Sequence, residues 1–438
     1  MTPVQECDVL PNGLCKHRSE RKGSFFKKLG PGFITGASDD DPSGLATYAQ
    51  AGAQVGKNIL WFAPWTLPLM ISVQEMAGRI GLMTQGGLTR ALLKKFSRAS
   101  VYFMVACLVI ANTINIGADI AGMAESVQMT TGVPFVWSAI ILSIGMLFLQ
   151  IYLPYKKYVT VLKWCAISLL SYLIAAFTVN MGWGTIAWHA LIPHIDMHSN
   201  DFWYISTAIL GTTISPYLLF WQTSQEIEEK RVRDCREGNI GYAIKECEIK
   251  SMREETMLGM AFSNTIMFFV MAVTAAVLHG KGASNNINSM VEAAAALKPL
   301  AGDFAAWLFA AGIIGTGLLT VPVLAGSSAY AMAELFGWRQ GLHLQWHEAR
   351  KFYGVIAAST VIGLALNALG INAVDFLLWS AIINGCVTPI IIVGMIAVAN
   401  DGALLGKFKN SWLSKTGAWI TFLVFVASIV GFLVTYKK

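Results

Sequence analysis

The chain is dominated by long apolar runs separated by short polar segments. Each run has about the 20 residues that a helix needs to cross a bilayer. We count eleven of them, at roughly 31–54, 58–79, 101–126, 135–154, 159–181, 202–226, 256–279, 302–334, 353–371, 374–400 and 416–436. This pattern predicts an all-α integral membrane protein with about eleven transmembrane helices.

The first run contains three consecutive acids, Asp39, Asp40 and Asp41, followed at once by Pro42. An ionised carboxylate at bilayer depth costs on the order of 3 kcal/mol on insertion scales. Proline removes a backbone donor and interrupts a helix. Both features are tolerated where irregular backbone lines a polar cavity inside the protein. A broken helix with a carboxylate at its break therefore indicates a cation site.

A second interruption, at residues 212–217, lies in the sixth run, where Pro216 follows Ser215. Matched breaks at corresponding positions are typical of inverted repeats that bind a substrate at the midplane. We therefore divide the chain into a basic tail (1–29), a first five-helix repeat (30–181), a second, inverted repeat (202–400) and a C-terminal transmembrane helix (401–438). Helices one and six are expected to be broken at the midplane.

Basic residues orient the predicted helices. If the N-terminus is cytoplasmic, all but five of the 32 Lys and Arg residues fall on the cytoplasmic side, as the positive-inside rule requires. The C-terminus is then outside, in a multi-pass protein of the plasma membrane. The net charge of +6 follows from this topology, so nucleic acid is not expected as a partner. We expect the lipid bilayer and a substrate ion as partners, and no obligate protein partner.

Other polar motifs are less specific. Seven cysteines show no CxxC spacing. His343 and His347 have the spacing of a zinc pair without an evident third ligand, and the outer loop carries His189, His194 and His198. No nucleophile–base pair or phosphate loop stands out, so an enzyme is not expected.

Several glycine-rich and polar segments together carry a family signature. The segment GPGFITGASDDDPSG…AGAQVG resembles the first helix of the Nramp divalent-metal transporters, with its GPG, DPGN and AGA-G signature. QEMAGRIGLMTQGGL (74–88) is similar to the end of their second helix, and GADIAGMAESV (117–127) to their third. The resemblance implies the amino-acid-transporter-like fold of two inverted five-helix repeats.

The departures from the family signature bear on the substrate. Asp41 keeps the place of the metal-binding aspartate, whereas Gly44 replaces the asparagine of DPGN. Ser215 stands where the family has a methionine, whose thioether favours transition metals. Tyr217 and Gln222 replace two histidines that the resemblance associates with proton transfer. Asp119 remains from the third-helix acid pair, because Gly122 replaces the glutamate.

These residues predict a roomy, oxygen-lined site for a partly hydrated Mg2+ ion, with Mn2+ as an alternative. The predicted metal-site positions are Asp41, Gly44, Thr212 and Ser215. Asp40, Asp39, Tyr217, Gln222, Asp119 and Asn384 are expected in the second shell or along the pathway. No cofactor is expected, since the ion is the substrate. The favoured function is uptake without proton coupling; the alternatives are a proton-coupled Mn2+ or Fe2+ importer and a sodium-coupled amino-acid or organic-solute carrier.

Overall fold

The computed structural model describes residues 31–152, 170–179, 181–237, 244, 246–280 and 286–436. Every regular element in these residues is a helix. The predicted basic tail, residues 159–169 of the fifth predicted span, and residues 238–243 of the charged linker lie outside the described residues.

In chain order, the described α-helices are α1 (Pro31–Ala37), α2 (Pro42–Val55), α3 (Phe62–Thr84), α4 (Leu88–Leu93), α5 (Arg98–Thr131), α6 (Phe135–Tyr152), α7 (Leu170–Thr178), α8 (Trp183–Leu191), α9 (Asn200–Thr213), α10 (Pro216–Glu237), α11 (Glu246–Val277), α12 (Met290–Ala294), α13 (Lys298–Ala301), α14 (Ala305–Phe336), α15 (Arg350–Leu366), α16 (Ala373–Ala399), α17 (Gly402–Leu405) and α18 (Trp412–Tyr436). Short 3₁₀ turns lie between some of them, at Gly56–Ile59, Ala295–Leu297, Gly302–Phe304, Asn367–Leu369 and Gly406–Phe408.

The helices confirm the predicted membrane fold. Seven helical segments in the described part of the chain are long and apolar enough to span a bilayer, within α5, α6, α11, α12–α14, α15, α16 and α18. The remaining four predicted spans correspond to the broken pair α1–α2, to α3, to the partly described α7 and to the broken pair α9–α10. The interruptions follow local chemistry, since both α2 and α10 begin at a proline, which is favoured at a first helical position.

The two broken spans are packed as an inverted pair. The first half of span one, α1, contacts the second half of span six, α10, while α2 contacts α9. Span one also packs on α11, as α10 packs on α3. Each broken helix therefore lies against the second helix of the other repeat, the exchange that two inverted five-helix repeats produce.

Two contacts between loops agree with the predicted alternation of the loops between the two ends of the helices. At one end, Lys95 pairs with Asp401 at 2.8 Å, joining the loop after span two to the loop after span ten. At the other end, Gln54 donates to Asn286 at 2.6 Å. The assignment of the first end to the cytoplasm stays a prediction from the basic residues.

Candidate metal site at the broken helices

The carboxylate of Asp41 caps the second half of span one. Asp41 has extended backbone angles and accepts a hydrogen bond from the Gly44 amide, while the Ser43 hydroxyl lies 2.9 and 3.0 Å from its two carboxylate oxygens. The sequence Asp-Pro-Ser-Gly favours this arrangement, because Asp is a preferred N-cap and Pro a preferred first residue. The partial positive charge at the start of α2 also favours an ionised carboxylate there. Asp41 is only 2% exposed, so the break places a charge inside the protein.

An asparagine on α5 joins Asp41 to the opposite side of the site. The Asn115 amide nitrogen donates to Asp41 at 2.9 Å and to Asp119, one turn further along α5, at 3.2 Å. The Asn115 oxygen accepts from the Asn384 amide of α16 at 3.0 Å. Spans one, three and ten thus meet in one polar network.

Several oxygens in this region have no hydrogen-bond partner among the described residues. They belong to the predicted site residues Asp39 (Oδ1), Asp40 (Oδ2), Asp119 (Oδ1) and Asn384 (Oδ1), all of them fully buried or nearly so. A buried oxygen without a partner is costly in a folded protein and calls for an explanation. Carboxylate and amide oxygens are the ligands that Mg2+ and Mn2+ accept, and such a cation or its hydration water would satisfy them.

The three acids of the break face in two directions. Asp39 and Asp40 both accept from the Ser263 hydroxyl of α11, at 2.6 and 3.1 Å, whereas Asp41 faces α5. In the described part of the chain, no three Asp, Glu, His or Cys side chains converge on a common metal position. The second-shell roles of Asp39 and Asp40 stay predictions. Their contacts with Ser263 place both side chains next to α11, which corresponds to the seventh predicted span.

The backbone carbonyls at the break in span six accept hydrogen bonds from neutral hydroxyl groups. Pro216 leaves the carbonyl of Thr212 without its helical partner, and the Ser215 hydroxyl donates to that carbonyl at 2.7 Å and to the Gly211 carbonyl at 2.8 Å. The Thr388 hydroxyl of α16 donates to the Ile214 carbonyl at 3.0 Å. The two oxygens that the sequence offers as ligands here, on Thr212 and Ser215, are therefore hydrogen-bonded to each other.

Two hydrogen bonds join the broken spans directly. The Tyr217 hydroxyl donates to the Ser38 carbonyl at 3.0 Å, and the Thr212 hydroxyl lies 3.3 Å from the Tyr48 hydroxyl. The Thr320 hydroxyl of α14 also reaches the Ser38 carbonyl, at 3.2 Å. The two breaks thus lie side by side, as expected for a shared binding site.

The remaining predicted positions are also located. Gln222 donates to Thr256 at 2.7 Å, between α10 and α11. A side chain at Gly44 would begin 3.2 Å from an Asp41 carboxylate oxygen and 3.4 Å from the Tyr48 hydroxyl, so polar atoms closely surround this position. A side chain at Gly122 would meet Leu377 at 3.0 Å, so the space of the family's glutamate is filled by apolar atoms.

Five polar residues at the breaks were not singled out from the sequence: Tyr48, Asn115, Ser263, Thr320 and Thr388. The available signal was a polar residue inside an apolar span, which is functional by default. Asn115 had the strongest signal, because it precedes Asp119 by one helical turn.

The histidines lie elsewhere. His343 contacts Glu228 at 2.8 Å, and the rings of His189 and His194 stack with centroids 5.0 Å apart. No third acidic, histidine or cysteine ligand joins either group within the described residues.

Comparison with known proteins gives a consistent result. The family model Nramp, described as natural resistance-associated macrophage protein-like, matches residues 32–435. The chain is 23% identical over 394 residues to the divalent metal cation transporter MntH of Caldanaerobacter subterraneus subsp. tengcongensis, covering 89% of each chain. It is 24% identical over 393 residues to the protein of the same name from Yersinia enterocolitica, covering 88% of this chain and 89% of the relative.

Solved structures show the same fold. A manganese transporter of Eremococcus coleocola, crystallised with an aromatic bis-isothiourea substituted compound, superposes with a TM-score of 0.72 at 17% identity, covering 94% of this chain and 88% of that one. A nucleobase-cation-symport-1 family transporter superposes with a TM-score of 0.56 at 12% identity, covering 93% of this chain and 91% of the other.

Proposed function

The chain belongs to the Nramp family and is a multi-pass membrane transporter of divalent metal ions, and we propose that its preferred substrate is a partly hydrated Mg2+ ion taken up without proton coupling. The observation that carries this proposal is the donor set. The side chains joined by hydrogen bonds around Asp41 are Ser43, Asn115, Asp119 and Asn384, which offer only carboxylate, amide and hydroxyl oxygens to a cation. Such a set suits a hard cation that keeps part of its water shell.

The span-six break supports the same preference. Ser215 stands where the family signature has a soft thioether ligand, and its hydroxyl is a hard oxygen donor. In this conformation the hydroxyl is held by the carbonyls of Gly211 and Thr212. A carbonyl oxygen has two lone pairs and a donating hydroxyl keeps its own, so Thr212 and Ser215 can still offer oxygens to a cation. Asp119 and Asn384 each have an oxygen without a partner among the described residues.

Alternating access would act on contacts between two groups of spans. Spans one, two, six and seven would rock against the others, as in other inverted-repeat transporters. The bonds from Asn115 to Asp41, from Thr388 to the Ile214 carbonyl and from Thr320 to the Ser38 carbonyl cross between these groups. Movement of the first group would therefore exchange these three contacts for others. We propose an N-terminus in the cytoplasm and a C-terminus outside, so that the ion moves inward across the plasma membrane.

Uptake does not require protons on energetic grounds. A divalent cation gains about 4.6 kcal/mol from 100 mV, negative inside, which corresponds to roughly a 2000-fold concentration ratio. Tyr217 and Gln222 stand where the family signature has the histidines associated with proton transfer. Here Tyr217 donates a hydrogen bond to the Ser38 carbonyl, and Gln222 donates one to Thr256. Gly122 offers no acid, and its surroundings are apolar.

A second candidate is a proton-coupled Mn2+ importer. It is favoured by the relatives, which are named divalent metal and manganese transporters, and by the buried acid Asp119. Membership of the Nramp family argues against the sodium-coupled solute carrier that the architecture alone allowed.

Purified protein in liposomes tests the proposal, with dyes for internal Mg2+ and internal pH. We expect Mg2+ influx that rises with a negative internal potential, without internal acidification, and competition by Mn2+ only at comparable concentrations. Protein-free liposomes with a proton ionophore supply the control for the pH dye. Acidification in proportion to metal influx, or competition by Mn2+ at a hundredth of the Mg2+ concentration, would favour the second candidate instead.

A further inference from the structure

The side chain of Asn115 holds a central place among the site residues without carrying a charge. Its amide nitrogen has two hydrogens, and the two acceptors within reach are the carboxylates of Asp41 and Asp119, at 2.9 and 3.2 Å. This fixes the orientation of the amide, because the reverse orientation would place its oxygen against two carboxylates. Asn115 is fully buried, so water does not compete for these bonds.

The orientation of the Asn115 amide also determines the orientation of the Asn384 amide on α16. With its nitrogen facing the acids, Asn115 turns its oxygen toward Asn384, which donates to it at 3.0 Å. Asn384 must therefore use its nitrogen for this bond, and its own oxygen is left buried without a partner in the described part of the chain. The same arrangement occupies one oxygen of Asp119, and no other described residue donates a hydrogen bond to its second oxygen.

We propose that Asn115 is the positioning residue of the substrate site, which turns one oxygen each of Asp119 and Asn384 toward the ion and its hydration water. This inference rests on the proposed function, since it explains how an oxygen-only donor set is presented. Asn115 needs no contact with the ion in this role. It acts as outer partners do in metal sites, where they orient the ligands.

Asn112 offers a matched control on the same helix. It is also fully buried, and it donates to the Leu324 carbonyl at 3.1 Å and to the hydroxyls of Ser327 and Ser328 at 2.8 and 2.9 Å. It thus makes a similar number of hydrogen bonds to α14, away from the acids. Replacing either asparagine by leucine removes a buried amide of similar size from α5.

The test compares Asn115→Leu with Asn112→Leu in the liposome assay, using Mg2+ and Mn2+ separately. We expect the KM for Mg2+ to rise roughly 10- to 100-fold in Asn115→Leu, as is usual when an orienting partner of a metal ligand is lost. The ratio of Mg2+ to Mn2+ transport should change as well, and this ratio does not depend on the amount of folded protein. Asn112→Leu should leave both quantities near the wild-type values.

A second pair of variants covers the case in which Asn115→Leu does not fold. Asn115→Asp keeps the shape but replaces the two donated hydrogens by an acceptor, so it should also raise the KM and alter the cation ratio. Combining Asn115→Asp with Asn384→Leu should cost less than the product of the two single effects, because the orientation of Asn384 is then already lost.

The outcomes separate this inference from the proposed function. Unchanged KM and cation ratio in Asn115→Leu and Asn115→Asp would overturn the positioning role while leaving Mg2+ transport intact. Wild-type protein that prefers Mn2+ by far, with the same dependence on Asn115, would overturn the proposed substrate and retain the positioning role.

Discussion

The breaks in spans one and six both leave backbone groups without helical partners, and the two spans satisfy these groups with opposite chemistry. In span one, the break exposes amides at the start of α2, and a charged side chain, Asp41, accepts from them. In span six, the break frees carbonyls at the end of α9, and a neutral hydroxyl, Ser215, donates to them. One break thus brings a full charge into the protein, whereas the other neutralises its own polar groups. We therefore expect span one to supply most of the attraction for a cation and span six to tune which cation is accepted.

The largest effect should come from neutralising the span-one break. Asp41→Asn keeps an oxygen that can accept from the Gly44 amide, so the helix start is preserved while the charge is lost. We expect Mg2+ influx to fall by roughly 100-fold, or about 2.8 kcal/mol, which is the size of a strong interaction with a single charged group. Ser215→Ala, which removes a neutral donor, should lower influx less than tenfold. Both are measured as initial rates in liposomes.

Asp303→Asn is the matched control, because it makes the same chemical change at an exposed 3₁₀ turn before α14. It should transport at the wild-type rate. An Asp41→Asn protein within tenfold of wild type, or a Ser215→Ala protein as impaired as Asp41→Asn, would remove the asymmetry between the two breaks.

A smaller effect should come from changing the chemistry of the span-six break. Ser215→Met adds a polarisable thioether at the place where the family signature has methionine, and thioethers favour transition metals over Mg2+. We expect the ratio of Mn2+ to Mg2+ transport to rise about tenfold, or about 1.4 kcal/mol. Ser215→Ala loses the same hard hydroxyl donor without adding sulfur, so it should raise the ratio less than Ser215→Met does. Equal ratios in the two variants would show that this position does not tune selectivity.

The sequence was sufficient for the parts of this comparison that depend on local chemistry. The apolar runs have the length of a bilayer-spanning helix, and the two prolines mark the positions at which α2 and α10 begin. Asp41 could be singled out as a candidate ligand, because an ionised carboxylate beside a helix break inside the bilayer costs free energy. The predicted release of the Thr212 carbonyl depended only on the missing proline donor, but its satisfaction depends on the rotamer of Ser215.

The partners of the site could not be predicted in the same way. Ser263 and Thr388 lie far from the breaks along the chain, and their contacts depend on which faces of α11 and α16 turn inward. An ordinary serine or threonine in a helix bonds to its own backbone, so the residue type alone does not reveal the role. Asn115 was identifiable in principle from its spacing to Asp119, yet its link to Asn384 required the packing of spans three and ten.

A still smaller effect is expected where the two breaks touch. Tyr217→Phe removes the hydroxyl that donates to the Ser38 carbonyl, while Thr320 continues to donate to it. We expect a loss of about 1 kcal/mol in stability, as for a typical buried hydrogen bond, with the same cation ratio as wild type. Unfolding in detergent, followed by tryptophan fluorescence, measures the change.

Tyr172→Phe is the control for this variant, because the Tyr172 hydroxyl is buried without a hydrogen-bond partner among the described residues. Its removal should be neutral or stabilising. A Tyr217→Phe protein as stable as Tyr172→Phe would show that the bond to Ser38 does not hold the breaks together.

The smallest effect is expected from a variant far from the breaks, at a contact between α10 and the loop after α14. Glu228 of α10 accepts from His343 in the loop after α14, and this contact raises the pKa of His343 above its usual value. Glu348 acts in the same direction, whereas partial burial and Arg231 oppose it. A histidine with a raised pKa stabilises the folded state fully below its ordinary pKa, and this contribution is lost as the pH rises through the raised value. The difference in unfolding temperature between wild type and His343→Gln should therefore be largest near about pH 6 and disappear as the pH rises through the raised pKa of His343. A difference that grows with pH would contradict the contact, and a change in the cation ratio would extend control of selectivity beyond the breaks.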